Sequence, residues 1–180
     1  MVPTRAFFTH GVGIHKHRLH SFELALRKAG IEKFNLVRVS SIFPARCKII
    51  SPTLGLSYLK AGQITYLVMA EASTDEPGRM VCAALGLAKP ASGDQYGYIS
   101  EHHGYGLNNK KASDLVEDMA ATMLATTLGI EFDPNTAYDT RKEVYRMSGK
   151  IVLTRSIVQT SEGQKNGLWT TVIAGAVFVP

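Results

Sequence analysis

Two hydrophobic periods alternate along this chain and sort most of it into helices and strands. Residues 18–29 place Phe22, Leu26 and Ala29 on one helical face, with Gly30 as the stop signal. Residues 110–128 repeat the pattern at greater length, with Leu115, Met119, Met123 and Thr127 on one face and Gly129 closing it. Between them, Pro77 opens a stretch through Met80, Ala84 and Leu87 that reads as another helix ending before Pro90. Residues 35–39, 64–70 and 96–100 are short β-branched or continuous apolar runs and read as strands. The β-rich residues 150–159 and 168–179 flank turn-forming residues 161–167, which predicts a long hairpin. Residues 133–145 are polar and show no clear period. Nothing divides the sequence into parts, so residues 1–180 read as one domain, a layered arrangement of strands and one-sided helices.

Composition narrows the functional classes. An apolar content of 45% with 19% charged residues describes an ordinary globular protein rather than a disordered one. No window approaches the roughly 18 continuous apolar residues of a membrane helix. The first residues lack the apolar core of a signal peptide, so a cytoplasmic protein with no membrane association is expected. Cys47 and Cys82 are too isolated to suggest a disulfide framework or a zinc site. The net charge of +5 is scattered, and aromatic residues do not interleave with basic ones, which argues against nucleic-acid binding. That charge also opposes steering a cationic substrate from a distance, so recognition of one requires a local acid.

The chemically informative segment is Asn35-Leu36-Val37-Arg38-Val39-Ser40-Ser41-Ile42-Phe43-Pro44, a strand that runs into a serine pair and is stopped by proline. Two uses of the pair are open. The serines can satisfy turn amides at a strand end. Alternatively, the Ser41 hydroxyl can attack the Ser40 carbonyl, converting the amide to an ester. β-Elimination and hydrolysis would then leave a pyruvoyl group at position 41, an electron sink of the same kind as pyridoxal phosphate.

This run resembles the processing site of the pyruvoyl-dependent arginine decarboxylases. Three further stretches are similar to that family in the same order. They are Leu19-His20-Ser21-Phe22-Glu23-Leu24-Ala25-Leu26 with Lys28-Ala29-Gly30-Ile31, then Gly97-Tyr98-Ile99-Ser100-Glu101, and then Lys110-Lys111 opening the long helix. The resemblance implies an α+β fold, a layered αββα sandwich, assembled as a homotrimer or a dimer of trimers. It implies self-cleavage into residues 1–40 and 41–180, a covalent pyruvoyl cofactor, and L-arginine as substrate, giving agmatine and carbon dioxide. Histidine, aspartate or lysine as substrate, or an unprocessed trimeric scaffold, are the competing readings.

Site residues follow from the same resemblance. Ser41 is the nucleophile and Ser40 supplies the attacked carbonyl and a new carboxylate. Glu101 is the candidate proton donor; burial at a strand end would raise its pKa, while a solvated carboxylate is the plain alternative. Asn35, otherwise a turn residue entering a strand, would donate to a developing oxyanion. Glu23, otherwise an exposed helix residue pairing with Arg27, would accept the planar guanidinium. The family pattern has aspartate there, and glutamate displaces the carboxylate by about 1.5 Å. His15, His17 and His20, with His10 nearby, invite a metal reading, but no carboxylate or cysteine completes a set, and no metal is expected. Gly11-Val12-Gly13 is too short for a nucleotide fingerprint. Lys60 and Lys89 lack the glycine-rich phosphate loop that would accompany a Schiff-base lysine.

Overall fold

The computed structural model describes residues 2–180. The chain begins with β1 (Arg5–His15), α1 (Arg18–Ala29), β2 (Asn35–Arg38), β3 (Ile42–Phe43) and β4 (Lys48–Ile49). It continues with α2 (Pro52–Ser57), β5 (Ile64–Thr74), β6 (Met80–Pro90) and β7 (Gly97–Tyr105). The remainder is α3 (Asn109–Thr127), α4 (Tyr138–Met147), β8 (Ile151–Glu162) and β9 (Trp169–Val179). This is a mixed α+β domain with two sheets, ordered β2-β5-β9-β1-β4 and β3-β7-β6-β8. Residues of both sheets, among them Phe8, Val68 and Val172 from one and Leu85, Leu87 and Ile99 from the other, form one buried apolar cluster.

Helix α1 covers the other face of the five-stranded sheet, where Ala25, Ala29, Phe22 and Leu26 meet Leu67, Met69 and Ile173. It ends as expected: Gly30 is left-handed at φ 76° and donates to Arg27 O, while Ile31 N donates to Leu26 O. Gly11 and Gly13 explain why it can lie so close to β1. A Cβ at Gly11 would sit 2.1 Å from Ala25 O, and one at Gly13 would sit 2.0 Å from Ser21 O. The Gly-Val-Gly run is therefore a helix-docking surface. Buried hydroxyls finish the contact: Ser21 Oγ and Ser73 Oγ both meet Thr171 Oγ1, at 2.6 and 3.0 Å, and Thr9 Oγ1 donates to Ala29 O at 2.7 Å.

Three expectations change, and a stretch without a clear period proves to be helical. Residues 77–87 hold most of strand β6 instead of a helix. β6 is central, paired with β7 and β8, and buried on both faces, so its Ala- and Leu-rich run carries no alternation. Strands β8 and β9 are not a hairpin: β8 pairs with β6, whereas β9 lies between β1 and β5 in the other sheet. Helix α3 buries Ala112, Val116, Ala120, Ala121, Leu124 and Ala125, not the stripe through Leu115, Met119 and Met123. Small residues win because α3 crosses β6 at Gly86, where a Cβ would sit 2.0 Å from Val116 O. Finally, the polar stretch near residue 140 contains α4, docked by buried Tyr145 and by a part-buried Arg141–Asp118 ion pair at 2.6 Å.

Gly11→Ala should destabilise the fold by about 1–3 kcal/mol or more, the usual cost of overpacking, because the new methyl meets backbone. Gly93→Ala, at a position with open space around it, should be close to neutral. Urea unfolding of the two variants measures the difference.

Candidate active site

The Ser40–Ser41 peptide bond joins the two sheets. On its N-terminal side, β2 runs parallel to β5, and the last hydrogen bond there is Val39 N to Leu67 O at 3.0 Å. An Arg38–Glu71 ion pair ties the same strand end to β5. On its C-terminal side, β3 pairs antiparallel with β7, and Ile99 N donates to Ser41 O at 2.8 Å. Between the two anchors, Ile42 N donates back to Ser40 O at 2.9 Å. Ser40 is exposed and Ser41 half-buried. Beside them lies a groove of about 740 Å³ lined by Val39, Ser40, Ile42, Pro44 and Tyr66 together with residues near both chain ends. Its walls leave Ile64 60% and Tyr66 48% exposed, a concentration of apolar surface that water does not favour.

Glu101 lies near this link but not where expected. Strand β7 continues to Tyr105, so Glu101 is inside a strand rather than at its end. The bond from Ile99 N puts Ser41 opposite Ile99, two residues from Glu101 along β7. Glu101 pairs with Leu85, whose side chain belongs to the cluster between the sheets, so the carboxylate projects from that same face. It is exposed in the single chain, contrary to the expected burial, because β3 covers β7 only at Gly97 and Tyr98. His103 shares its face by strand alternation and is exposed too, a neighbour that period-2 spacing along this segment would have revealed. His102 points the other way; its Nε2 is buried without a partner, and burial and His103 lower its pKa.

The remaining site residues lie apart from Ser41. Asn35 begins β2, with about 13 Å of extended chain between it and Val39. Its Nδ2 already donates to Gly62 O at 2.6 Å, so it does not serve the Ser40 carbonyl of its own chain. Glu23 sits on the outward side of α1 in an ion pair with Arg27. His15, His17 and His20 do cluster, with ring centroids 4.7–5.7 Å apart, and lost hydration followed by His20 and His17 lowers the His15 pKa. Among the described residues, no group of three or more His, Cys, Asp or Glu is arranged to hold a metal ion. No helix among them is long and apolar enough to cross a membrane.

The geometry defines a mixed α+β domain whose serine pair is strung between two sheets with a carboxylate two residues along the neighbouring strand. Residues 5–180 match the family model described as pyruvoyl-dependent arginine decarboxylase. Over 179 residues the chain is 59% identical to a probable pyruvoyl-dependent arginine decarboxylase of Chloroherpeton thalassium, covering 99% of this chain and 98% of that one. It is 55% identical over 179 residues to the pyruvoyl-dependent arginine decarboxylase of Methanococcoides burtonii, covering 99% of each. It is also 55% identical to pyruvoyl-dependent arginine decarboxylase 2 of Methanosarcina acetivorans, covering 99% of this chain and 98% of that one. The chain belongs to the pyruvoyl-dependent arginine decarboxylase family.

Cys47, just past Pro44, is buried, and burial pushes its thiol up to about 11, with Lys89 opposing the shift. An unperturbed thiol titrates near 8.5, so at pH 8 the Cys47 thiolate fraction should be roughly two orders of magnitude lower. Iodoacetamide labelling of the native protein at pH 8, read by peptide mass, should leave Cys47 unmodified until the fold is opened with denaturant.

Proposed function

We propose that this chain decarboxylates L-arginine to agmatine and carbon dioxide through a pyruvoyl group made from its own Ser41. The observation that carries the reading is the Ser40–Ser41 bond itself, held at both ends by strand hydrogen bonds in a chain of this family. Ser41 Oγ attacks the Ser40 carbonyl carbon. The C–N bond breaks and the hydroxyl proton goes to the freed amine, leaving an ester. Loss of the Ser41 α-proton and cleavage of its Cβ–Oγ bond release Ser40 as a carboxylate and leave dehydroalanine. Water then replaces the nitrogen, which leaves as ammonia. The resulting pyruvoyl group supplies the electron sink for loss of carbon dioxide from the amino acid.

The chain's own groups do the rest. Ile99 N–H holds the Ser41 carbonyl, and Glu101, projecting beside it, delivers a proton to the substrate carbon that has lost carbon dioxide. Asn35 and Glu23 are too far from their own Ser41 to join it, and we assign them to the pocket of an adjacent subunit. There, Glu23 leaves Arg27 and accepts the guanidinium in two parallel bonds. The two sheets with their outer helices form the αββα sandwich of this reading. A ring of three such subunits, alone or paired with a second ring, covers the apolar groove and the open edge of β7 and so buries Glu101. Residues 1–40 stay in place after cleavage, because β1 lies between β9 and β4.

Five experiments test the assignments. Denaturing mass spectrometry should show fragments 1–40 and 41–180, the latter with a blocked N-terminus, from a protein that runs as one species under native conditions. Ser41→Ala should remain a single full-length chain without activity; normal fragments would remove Ser41 as nucleophile. Glu101→Gln should still yield both fragments yet lose at least about two orders of magnitude in kcat, the scale of general-acid catalysis. Near-normal turnover of that cleaved variant would exclude the role. Glu23→Gln should cleave normally while kcat/KM for arginine falls by roughly 30-fold or more, as for loss of a buried charge-assisted pair worth about 2–5 kcal/mol. Mixing Glu23→Gln and Ser41→Ala chains should restore part of the activity. No recovery in verified mixed trimers would place the pocket within one subunit.

A further inference from the structure

We infer that the backbone N–H of Ile42 is the catalytic donor that stabilises the oxyanion of self-processing, an inference that rests on the reading that Ser41 attacks the Ser40 carbonyl. The donor touches the reacting group: Ile42 N lies 2.9 Å from Ser40 O, the oxygen on which negative charge collects as the carbonyl carbon becomes tetrahedral. That separation is an ordinary hydrogen bond to the ground-state carbonyl, so the donor is already in place as charge builds on this oxygen. A bond from residue i+2 back to residue i is a γ-turn, here centred on Ser41. Among the described non-glycine residues only Arg46 has positive φ, so Ser41 has negative φ, as in the inverse form common at strand ends and loop starts.

Ladder geometry explains why this amide is free. In an antiparallel pair, successive residues direct their backbone groups alternately toward and away from the partner. Ser41 is directed at β7, since its carbonyl accepts from Ile99 N at 2.8 Å; Ile42 is therefore directed away. Strand β3 is the edge of its sheet, so no neighbouring strand claims the Ile42 N–H. The same alternation that makes Ser41 a ladder residue turns the next amide onto the scissile carbonyl. Val39 N, bonded to Leu67 O at 3.0 Å, fixes the other side, so carbonyl and donor are held before any bond is made. Asn35, the side-chain donor expected for this task, spends its amide on Gly62 O at the far end of β2.

During the acyl shift the Oγ–C bond forms, the C–N bond breaks, and the Oγ proton moves to the departing Ser41 nitrogen. The Ile42 amide keeps its proton throughout and stabilises only the intermediate's oxygen. Replacing Ile42 by its α-hydroxy acid in the full chain turns the 41–42 amide into an ester and removes this one N–H while keeping the side chain. The half-time for appearance of the 1–40 fragment, followed by denaturing mass spectrometry, should lengthen by about 10²–10³-fold, the scale of losing one oxyanion donor. Processing of that chain at the wild-type rate overturns the inference. A second measurement does not depend on how the ester chain folds. In the uncleaved Ser41→Ala chain, the Ile42 amide should exchange its hydrogen well below the intrinsic rate although the residue is exposed; exchange at the intrinsic rate overturns the inference. Cleavage of Ser41→Ala at the same bond would instead overturn the parent reading, which separates the two failures.

Discussion

The pairing of β1 with β9, from Arg5–Val179 to His15–Trp169, sets what the rest of the molecule can do. It threads the start of the chain into the middle of a five-stranded sheet, with β4 on its far side and α1 laid across it. A bond that is to break in a folded protein must not be the bond that holds the fold. Here the first 40 residues contribute an interior strand, a packed helix and an edge strand, each secured by hydrogen bonds and buried apolar surface. The Ser40–Ser41 link adds connectivity and little else. On the proposed reading, its rupture would give both ends local freedom and leave the sheets as they are.

Both long helices reach their sheets by one device. At Gly11 and Gly13 under α1, and at Gly86 under α3, a missing side chain lets helix backbone approach strand backbone. Each contact carries a hydroxyl that satisfies what the approach buries: Thr9 Oγ1 to Ala29 O, and Ser100 Oγ to Val116 O at 2.5 Å. Shared small residues therefore hold α1 against β1 and α3 against β6 more closely than large apolar side chains would. The same choice pushes Met119, 39% exposed, to the outside of α3.

Local signals were legible wherever a residue's own chemistry decided its conformation. Gly30 in its left-handed stop, the strand leading to Ser40 and the serine pair itself could all be read directly. So could the helix over α1, because its polar and apolar faces differ. Partnership was illegible. Nothing in residues 150–179 says that β8 and β9 enter different sheets, since a turn announces a break and not a partner. Strand β6 reads as a helix because burial on both faces erases alternation, and its alanines favour helices where nothing else intervenes. The environment of Glu101 is not legible locally, because exposure depends on where β3 stops.

Within the chain, the groups proposed for processing and those proposed for substrate recognition are segregated. Ser40, Ser41 and Ile42 are consecutive, and Ile99 reaches them through one ladder bond, so the groups proposed for processing all lie in a single subunit. Glu23 on α1 and Asn35 at the far end of β2 are each occupied by a local partner, Arg27 and Gly62 O. Glu101 stands between the two sets, fixed by its strand yet open to water. On the proposed reading, assembly does two things at one place: it brings the residues that recognise the guanidinium and covers Glu101. On that reading the chain would prepare its reactive group alone and take its specificity from contact with another copy.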